Sequence, residues 1–352
     1  MTLQPHSIEA LQAAVVAHDR LTIRGAGSKS AALVDTQSAT LDLRGMTGVI
    51  DYVPDECVLT ALAGTPLSEI EAGLAEHGQY LPFDPVLVRT GATLGGTVAS
   101  GLSGSGRYRY GGVRDFVIGM RVVDGDGRLI RTGGKVVKNA AGFLLHHGMV
   151  GSLGRLGVIV DITCKVFPKP EARTTLRVEY GSLDKAWDAV EQVQAARRDV
   201  EAVDFDSNGT VWIRIAGSSA SLDARLAVLR GLLGGEVISP ADEARVWSDA
   251  GEFGWAVPGH AIVKVAGAAL RQLRTAGSFA RYFCAGSSAW VAHEDPSAIE
   301  NDITGAGLRG QVVRGKRAGT LVGPHQSNVF EARVRRVLDP HQRFHAAPDS
   351  SR

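Results

Sequence analysis

The chain has 352 residues, 44% of them hydrophobic, a length that favours two buried cores over one. Its formal charge of +1 leaves no basic field to collect nucleic acid and no acidic tail. Cys57, Cys164 and Cys284 lie far apart with no C-x-x-C pair, which argues against a disulfide framework and against a zinc or iron–sulfur site made by this chain alone. The opening Met1-Thr2-Leu3-Gln4-Pro5-His6 lacks a basic region followed by an apolar core, and no apolar run approaches the ~20 residues needed to span a bilayer. A soluble cytoplasmic protein is therefore expected.

In chain order, Ser7 is placed to cap a helix whose Ile8, Leu11 and Val15 repeat at helical spacing. Strands are expected at Leu21 to Arg24, Thr40 to Leu43, Val49 to Val53 and Cys57 to Leu62. A second helix is punctuated by Thr65 at the N-cap, Pro66 in the first turn and Gly78 past its end, with Leu67, Ile70 and Leu74 on one face. Between Gly91 and Gly112 the chain changes character: eight of these 22 residues are glycine, where the chain average gives about three. Phe116 to Val123 and Arg128 to Arg131 then read as a hairpin turning at Asp124-Gly125-Asp126-Gly127. A second glycine-rich turn, Gly148 to Gly157, leads into a strand from Val158 to Phe167. Pro168 and Pro170 mark the domain boundary.

Beyond it, strand Thr174 to Tyr180, helix Ser182 to Arg198, strands Ala202 to Phe205 and Thr210 to Ala216, helix Ser221 to Leu233 and strand Glu236 to Ile238 follow the ferredoxin-like β-α-β-β-α-β order. A looser second copy is expected from strands at Ala261 to Val265, Phe279 to Cys284, Ala289 to His293 and Gln311 to Arg314, with helices between the first two and the last two. The two copies are expected to join in one antiparallel sheet. Ser327 to Val337 closes the chain as a helix.

The chemistry-bearing stretches are glycine loops. Arg24-Gly25-Ala26-Gly27-Ser28-Lys29-Ser30 follows a strand directly, and its glycines allow several N–H groups to point into one concavity, which suits a phosphate. A tight solvated turn is the plainer alternative. Gly25-x-Gly27-x-x-Ser30 nearly matches a dinucleotide fingerprint, but Ala31 to Ser38 show no helical stripe to follow it, so that reading fails. Thr90 to Gly101 is built almost wholly of small residues, which fits close approach of backbone to a large flat ligand better than apolar burial or a flexible linker.

Taken together these segments resemble the vanillyl-alcohol oxidase/p-cresol methylhydroxylase (PCMH) flavoproteins. Arg24-Gly25-x-Gly27-Ser28 resembles their pyrophosphate loop. Thr90-Gly91-Ala92-Thr93-Leu94-Gly95-Gly96-Thr97-Val98-Ala99, followed by Gly101, Gly104, Tyr110-Gly111-x-Val113-Arg114-Asp115 and Gly119, resembles their FAD-wrapping segment. Gly151-Ser152-Leu153-Gly154-x-Leu156-Gly157-Val158 resembles their adenine- and ribityl-side turn. Within the family, Gly101-Leu102-Ser103-Gly104, Val137-Lys138-Asn139-Ala140-Ala141-Gly142 and Lys165-Val166-Phe167-Pro168-Lys169-Pro170 look like the FAD-binding subunits of bacterial glycolate oxidases. Leu338-Asp339-Pro340-x-x-x-Phe344 resembles the terminal motif. The chain departs from that pattern at Leu144-Leu145, where the family has an aspartate after its aromatic residue, and at His345-Ala346-Ala347 in place of Asn-Pro-Gly.

The resemblance implies an α+β architecture: a two-subdomain PCMH-type FAD-binding domain over 1–170, a smaller ferredoxin-like antiparallel domain over 171–325, and a C-terminal helix and tail over 326–352 returning to the FAD domain. It implies FAD binding by Arg24, Gly25, Ala26, Gly27, Ser28, Lys29, Gly91, Ala92, Thr93, Leu94, Gly95, Gly96, Ala99, Gly101, Gly104, Tyr110, Gly111, Asp115, Gly151, Gly154, Gly157 and Val158. Members that attach FAD through histidine carry it at the position of Ser28, so non-covalent FAD is expected. The implied activity is oxidation of glycolate or a similar 2-hydroxy acid. The implied partners are a catalytic FAD subunit and an iron–sulfur subunit, membrane contact being made only through them.

Such a reaction needs a base for the hydroxyl proton. His146-His147, His293, His325, His341 and His345 form no convincing cluster, and surface or structural roles are expected for each. Adjacent side chains point apart, so His146-His147 is not read as a metal site. A strong flavin site without substrate chemistry fits a supporting subunit. The rivals are a stand-alone dehydrogenase and a non-catalytic FAD-binding scaffold.

Overall fold

The computed structural model describes residues 1–29, 38–134, 144–196, 198–273, 277–315, 320–324 and 329–344, the side chains of 329 and 330 excepted. The chain divides into two compact units. One comprises 1–103, 112–168 and 326–352, the other 104–111 and 169–325.

The first unit holds two sheets. β1 (Thr2–Leu3), β2 (Leu21–Arg24) and β3 (Ala39–Asp42) pair in parallel in the order β1-β3-β2, beside helix α1 (Ile8–Ala17). The hydroxyl of Ser7 accepts from the N–H of Ala10, so the expected cap holds, and α1 buries Leu11 and Val15. A five-stranded antiparallel sheet follows from β4 (Val49–Val53), β5 (Val58–Leu62), β7 (Val117–Val123), β8 (Leu129–Gly133) and β9 (Val158–Lys165), in the order β4-β5-β9-β7-β8. β6 (Gln79–Tyr80) pairs with β10 (Phe167–Pro168), so the expected strand from Val158 to Phe167 breaks after Lys165 and its last residues join another sheet. Besides α1, this unit's helices include α2 (Leu67–Ala75), α3 (Leu94–Ser100), α5 (Val113–Phe116) and α6 (Leu145–Met149).

α2 buries Leu67, Ile70 and Leu74 as expected, but Thr65 does not cap it. Pro66 occupies the N-cap, and the Thr65 hydroxyl instead exchanges hydrogen bonds with the N–H and carbonyl of Gly48. Asp124 holds the β7–β8 turn by accepting from the N–H groups of Asp126 and Arg128, while Gly127 takes the positive φ of 76° that the turn demands.

The second unit contains the short helical turn α4 (Arg107–Tyr110) and one nine-stranded antiparallel sheet. Its first copy is β11 (Ala172–Glu179), α7 (Leu183–Ala195), β12 (Ala202–Asp206), β13 (Thr210–Gly217), α8 (Ser219–Leu233) and β14 (Glu236–Val237), in sheet order β14-β11-β13-β12. A helix not anticipated from the sequence, α9 (Pro240–Glu252), separates the copies, capped by the Ser239 hydroxyl on the N–H of Asp242. The second copy is β15 (Ala261–Ala266), β16 (Phe279–Phe283), β17 (Ser288–His293), α10 (Pro296–Gly305) and β18 (Arg309–Arg314), in the matching order β18-β15-β17-β16, with β19 (Leu321–Val322) on its edge. The helix expected between β15 and β16 is reduced, among the described residues, to one 3-10 turn at Leu270–Gln272. The copies join through Phe205↔Tyr282 and Asp206↔Arg281.

Strand alternation gives this sheet two unlike faces. Val203 and Phe205 of β12 share the face packed by α7, where Trp187, Phe205 and Tyr282 cluster with ring centroids 4.7–5.3 Å apart. The opposite face carries Asp204, Trp212, Arg214, Arg281, Trp290 and Lys264 in cross-strand register.

Helix α11 (Val329–Leu338) begins the return to the first unit. The N–H of Gly125 donates to the Leu338 carbonyl at 2.7 Å, and that of Leu21 to the Arg343 carbonyl at 2.7 Å. The buried Asp339 carboxylate accepts from the N–H groups of Arg343 and Phe344, and the Phe344 ring is fully buried. The terminal Leu338-Asp339-Pro340-x-x-x-Phe344 motif is thus a clasp on β2 and on the β7–β8 turn. Phe344→Ala is expected to destabilise the first unit by about 3–5 kcal/mol, the range for emptying a buried phenylalanine site. Urea unfolding followed by circular dichroism checks it, and an unchanged midpoint contradicts the clasp.

Candidate functional site

The groove of interest lies wholly within the first unit, and the space between its walls, open solvent included, is about 790 Å³. Three stretches make it. The loop after β2 contributes Arg24, Gly25, Ala26, Gly27, Ser28 and Lys29. Helix α3 contributes Gly95, Gly96, Ala99 and Ser100, with Thr93 before it. The turn before β9 contributes Leu153, Gly154 and Gly157. Ile23, Leu43, Ala63 and Ile159 complete the walls.

The loop after β2 has the character of an anion cradle. Among the described residues, no backbone carbonyl accepts from the N–H groups of Gly25, Ala26, Gly27 or Ser28. Gly27 has φ of 75°, and a Cβ there would come within 2.5 Å of the Arg24 guanidinium, so the arginine lies against its own loop. The Lys29 ammonium reaches across to donate to the Thr97 hydroxyl of α3 at 3.5 Å. Among the described lining residues Arg24 and Lys29 carry charge. At the end of β3, burial alone would raise the Asp42 carboxyl, but hydrogen bonds and charge from Arg44, with Arg24 beyond, hold it below its ordinary value.

α3 is built differently from what its small residues suggest. Thr93 caps it, accepting from the N–H of Gly96 at 3.2 Å, while the Leu94 and Gly95 N–H groups donate to the carbonyls of Thr65 and Ala63. Its first amides are therefore already engaged by protein. Gly95 is required for packing: a Cβ there would sit 2.7 Å from the Ala63 methyl and 2.8 Å from its carbonyl. Gly25 likewise abuts the Thr93 hydroxyl, and Gly101 abuts Gly151. Gly96 differs, since a Cβ there meets only the Thr93 hydroxyl, at 3.1 Å, and otherwise faces open space. Part of the glycine pattern thus brings backbone against backbone, and part leaves the groove clear.

The third stretch is tied directly to the second. The N–H of Gly151 donates to the Val98 carbonyl and that of Leu153 to the Ala99 carbonyl, at 3.0 and 2.8 Å. Gly151, Leu153, Gly154 and Gly157 all take positive φ, and a Cβ at Gly157 would strike Val122 and the Val123 carbonyl.

Of the sequence-expected residues, Arg24 to Lys29, Thr93, Gly95, Gly96, Ala99, Gly154 and Gly157 line the groove. Gly91, Ala92, Leu94, Gly101, Gly151 and Val158 support it from neighbouring positions in the same unit. Gly104, Tyr110 and Gly111 fall in the second unit, where the Tyr110 hydroxyl donates to Glu201 and Cys284 contacts the Gly104 carbonyl. Asp115 is exposed and caps α5 through the N–H of Gly112. Ser30, residues 137–142, His325 and His345 lie outside the described residues. Sequence reasoning missed Ser100 and Leu153 within the expected stretches, and Ile23, Leu43, Ala63 and Ile159, ordinary apolar strand or turn residues that reach the groove only through tertiary packing.

The histidines have local partners. His146 is buried against the Thr132 hydroxyl, and burial, then the His147 ring 4.4 Å away, lower its pKa. His293 bonds to the backbone of Asp295, and His341 to the Asp126 carboxylate. Among the described residues no three metal-ligating side chains converge, and no helix is long and apolar enough to cross a membrane.

The groove fits FAD on its own terms: main-chain donors with no backbone acceptor among the described residues, together with two cations, suit a diphosphate, and the open face of Gly96 with the walls of Ile23, Leu153 and Ile159 suits flat rings. Comparison with known proteins agrees. Residues 1–133 match the FAD binding domain family. The chain is 40% identical over 232 residues to glycolate oxidase subunit GlcE of Escherichia coli K12, covering 66% of this chain and 65% of that one. It is 32% identical over 174 residues to a D-lactate dehydrogenase of Archaeoglobus fulgidus, covering 49% of this chain and 38% of that one. The matched part is thus less than two thirds of the length of either relative. A solved structure of alkyldihydroxyacetonephosphate synthase superposes with a TM-score of 0.70 over 97% of this chain and 74% of that one, at 17% identity, a likeness of fold. The fold is of the PCMH type, and residues 1–133 carry a likeness to the FAD binding domain family.

Proposed function

We propose that the protein holds FAD non-covalently in this groove and serves the oxidation of glycolate or a similar small 2-hydroxy acid to the 2-oxo acid, as one subunit of a glycolate oxidase. A catalytic FAD subunit and an iron–sulfur subunit are its proposed partners. The protein itself is proposed to be cytoplasmic, reaching the inner face of the membrane through them. The likeness to GlcE supports the assembly, and the likeness to a D-lactate dehydrogenase supports the substrate class. The observation that carries the reading is the row of N–H groups from Gly25 to Ser28, with no backbone acceptor among the described residues, flanked by Arg24 and Lys29.

When bound, FAD supplies a ring system able to accept two electrons from the carbon bearing the substrate hydroxyl. This chain's part is to hold and orient it. The amides of residues 25–28 and the two cations receive the diphosphate charge, and charge-assisted hydrogen bonds are the stronger kind. Ile23, Leu43, Leu153 and Ile159 keep water from one side of the groove. No histidine, cysteine or tyrosine stands among the described lining residues, which supports dissociable attachment.

The purified protein is expected to be yellow and to release FAD on acid or heat treatment; a colourless protein that takes up no added FAD contradicts the reading. Under anaerobic conditions glycolate is expected to bleach the flavin only when the partner subunits are co-expressed, whereas bleaching of the lone chain would favour a stand-alone dehydrogenase. Two glycine variants separate groove from packing. Gly96→Val is expected to keep its melting temperature and lose flavin, whereas Gly95→Val loses both by colliding with Ala63. A fully yellow Gly96→Val protein would contradict the placement. Lys29→Ala is expected to weaken FAD affinity roughly tenfold to a hundredfold, as for loss of one hydrogen bond to a charged group, measured by flavin titration of the apoprotein.

A further inference from the structure

Helix α8 turns an uncharged face to solvent. It packs on β11 and β13 through the buried Leu222 and Leu229, with Leu226 and Leu233 half-buried beside them. At about 3.6 residues per turn the side directly opposite holds Ala220, Ala224, Ala227 and Gly231, all exposed, where a surface helix ordinarily carries charged residues. Val228 and Leu232 stand along one flank, 44% and 39% exposed. Val237 of the edge strand β14, 41% exposed, lies opposite Leu176 on the sheet face that the helices cover. Gly231 weakens the helix relative to alanine, yet a Cβ there would meet nothing within 4 Å, so packing within this chain does not require the glycine. The charged residues of α8 lie elsewhere. Arg225 turns inward to the Ala216 carbonyl at 2.8 Å. Asp223 and Arg230 are exposed along the flank away from Val228, and among the described residues neither side chain has a hydrogen-bond or ion-pair partner. Two turns separate them, about 10 Å along the axis, too far for them to pair with each other.

This pattern is self-complementary. When two copies of one helix meet antiparallel about a two-fold axis, each flank faces the same flank of the other copy with its direction reversed. Asp223 then stands opposite Arg230 of the other copy, and Arg230 opposite its Asp223. Along the seam Ala220 meets Gly231 and Ala224 meets Ala227, and such small residues let two helices approach closely. Val228 and Leu232 close the remaining flank. A parallel pair would instead set Asp223 and Arg230 against Val228 and Leu232, which offer no charge. We propose that α8 is the contact surface for a second copy of this chain, packed antiparallel across a two-fold axis. The 15 residues of α8 span about 22 Å and bury less than a standard interface, so a dimer dissociating in the micromolar range is expected. The contact uses residues of the second unit alone and does not depend on the flavin reading.

Sedimentation velocity of the full-length protein, over roughly 1–200 µM, tests it. A reversible dimer is expected. Ala227→Glu is expected to weaken it roughly a hundredfold, because the two-fold axis brings an unpaired charge into the seam twice. Asp223→Arg alone and Arg230→Asp alone are each expected to weaken it by setting like charges opposite, and the double exchange to restore it. All three positions face solvent in the single chain, so circular dichroism and flavin content are expected to stay unchanged, and the melting temperature of each variant separates loss of the helix from loss of the dimer. A chain that stays monomeric throughout, a dimer indifferent to Ala227→Glu, or a double exchange no better than either single one overturns the proposal. So does a monomer whose α8 gains protection from hydrogen exchange only with a co-expressed partner subunit.

Discussion

The flavin groove depends on one close approach. α3 reaches the end of β5 because Gly95 has no side chain, and the Gly95 N–H then closes on the Ala63 carbonyl. With α3 held there, its carbonyls at Val98 and Ala99 are available to the turn at 151–153, and that turn delivers Gly154 and Gly157 to the groove. The loop after β2 completes the set through Gly25 on Thr93 and Lys29 on Thr97. A dozen small residues therefore do two jobs that a sequence cannot separate: they bring three backbone segments within hydrogen-bond reach of one another, and they leave a trough between them.

Most of the first unit was legible because its signals are local. Ser7, the Asp124 to Gly127 turn and the period of Leu67, Ile70 and Leu74 each depend on neighbours a few residues away. Thr65 misled because a hydroxyl before a proline can cap a helix or satisfy a distant strand end, and only the fold brings Gly48 to it. The destination of Tyr110 was equally hidden. Nothing in Arg107-Tyr108-Arg109-Tyr110 tells that the chain leaves one unit and bonds to Glu201 and Asp199 of the other before returning at Gly112.

In the second unit the β-α-β-β-α-β order of the first copy and the strand order of the second were readable, and the joined sheet follows from them, whereas the helix expected between β15 and β16 and the inserted α9 were not as read. The charged face was not readable. Asp204 in Ala202-Val203-Asp204-Phe205-Asp206 and Lys264 in its own apolar strand are single polar residues in runs that otherwise ask for burial. Alternation places them on one face, but their partners come from other strands and from α4, so their chemistry emerges only in three dimensions.

The seam between the two sheet halves is only two residue pairs wide in the backbone ladder. Side chains reinforce it on both surfaces: Phe205 stacks on Tyr282 at 4.7 Å beneath, and Arg281, lying over Trp212, donates to Asp204 above. A duplicated module whose copies meet so briefly relies on these few groups for its rigidity as a single slab. The ion pair of Arg281 with Asp204 has a third member in the Ser105 hydroxyl, so the same stitch that fastens one half-sheet to the other also anchors the strap from 104 to 111. Loosening the seam would release that strap, which ties the mechanical continuity of the sheet to the position of Arg107 and Tyr108.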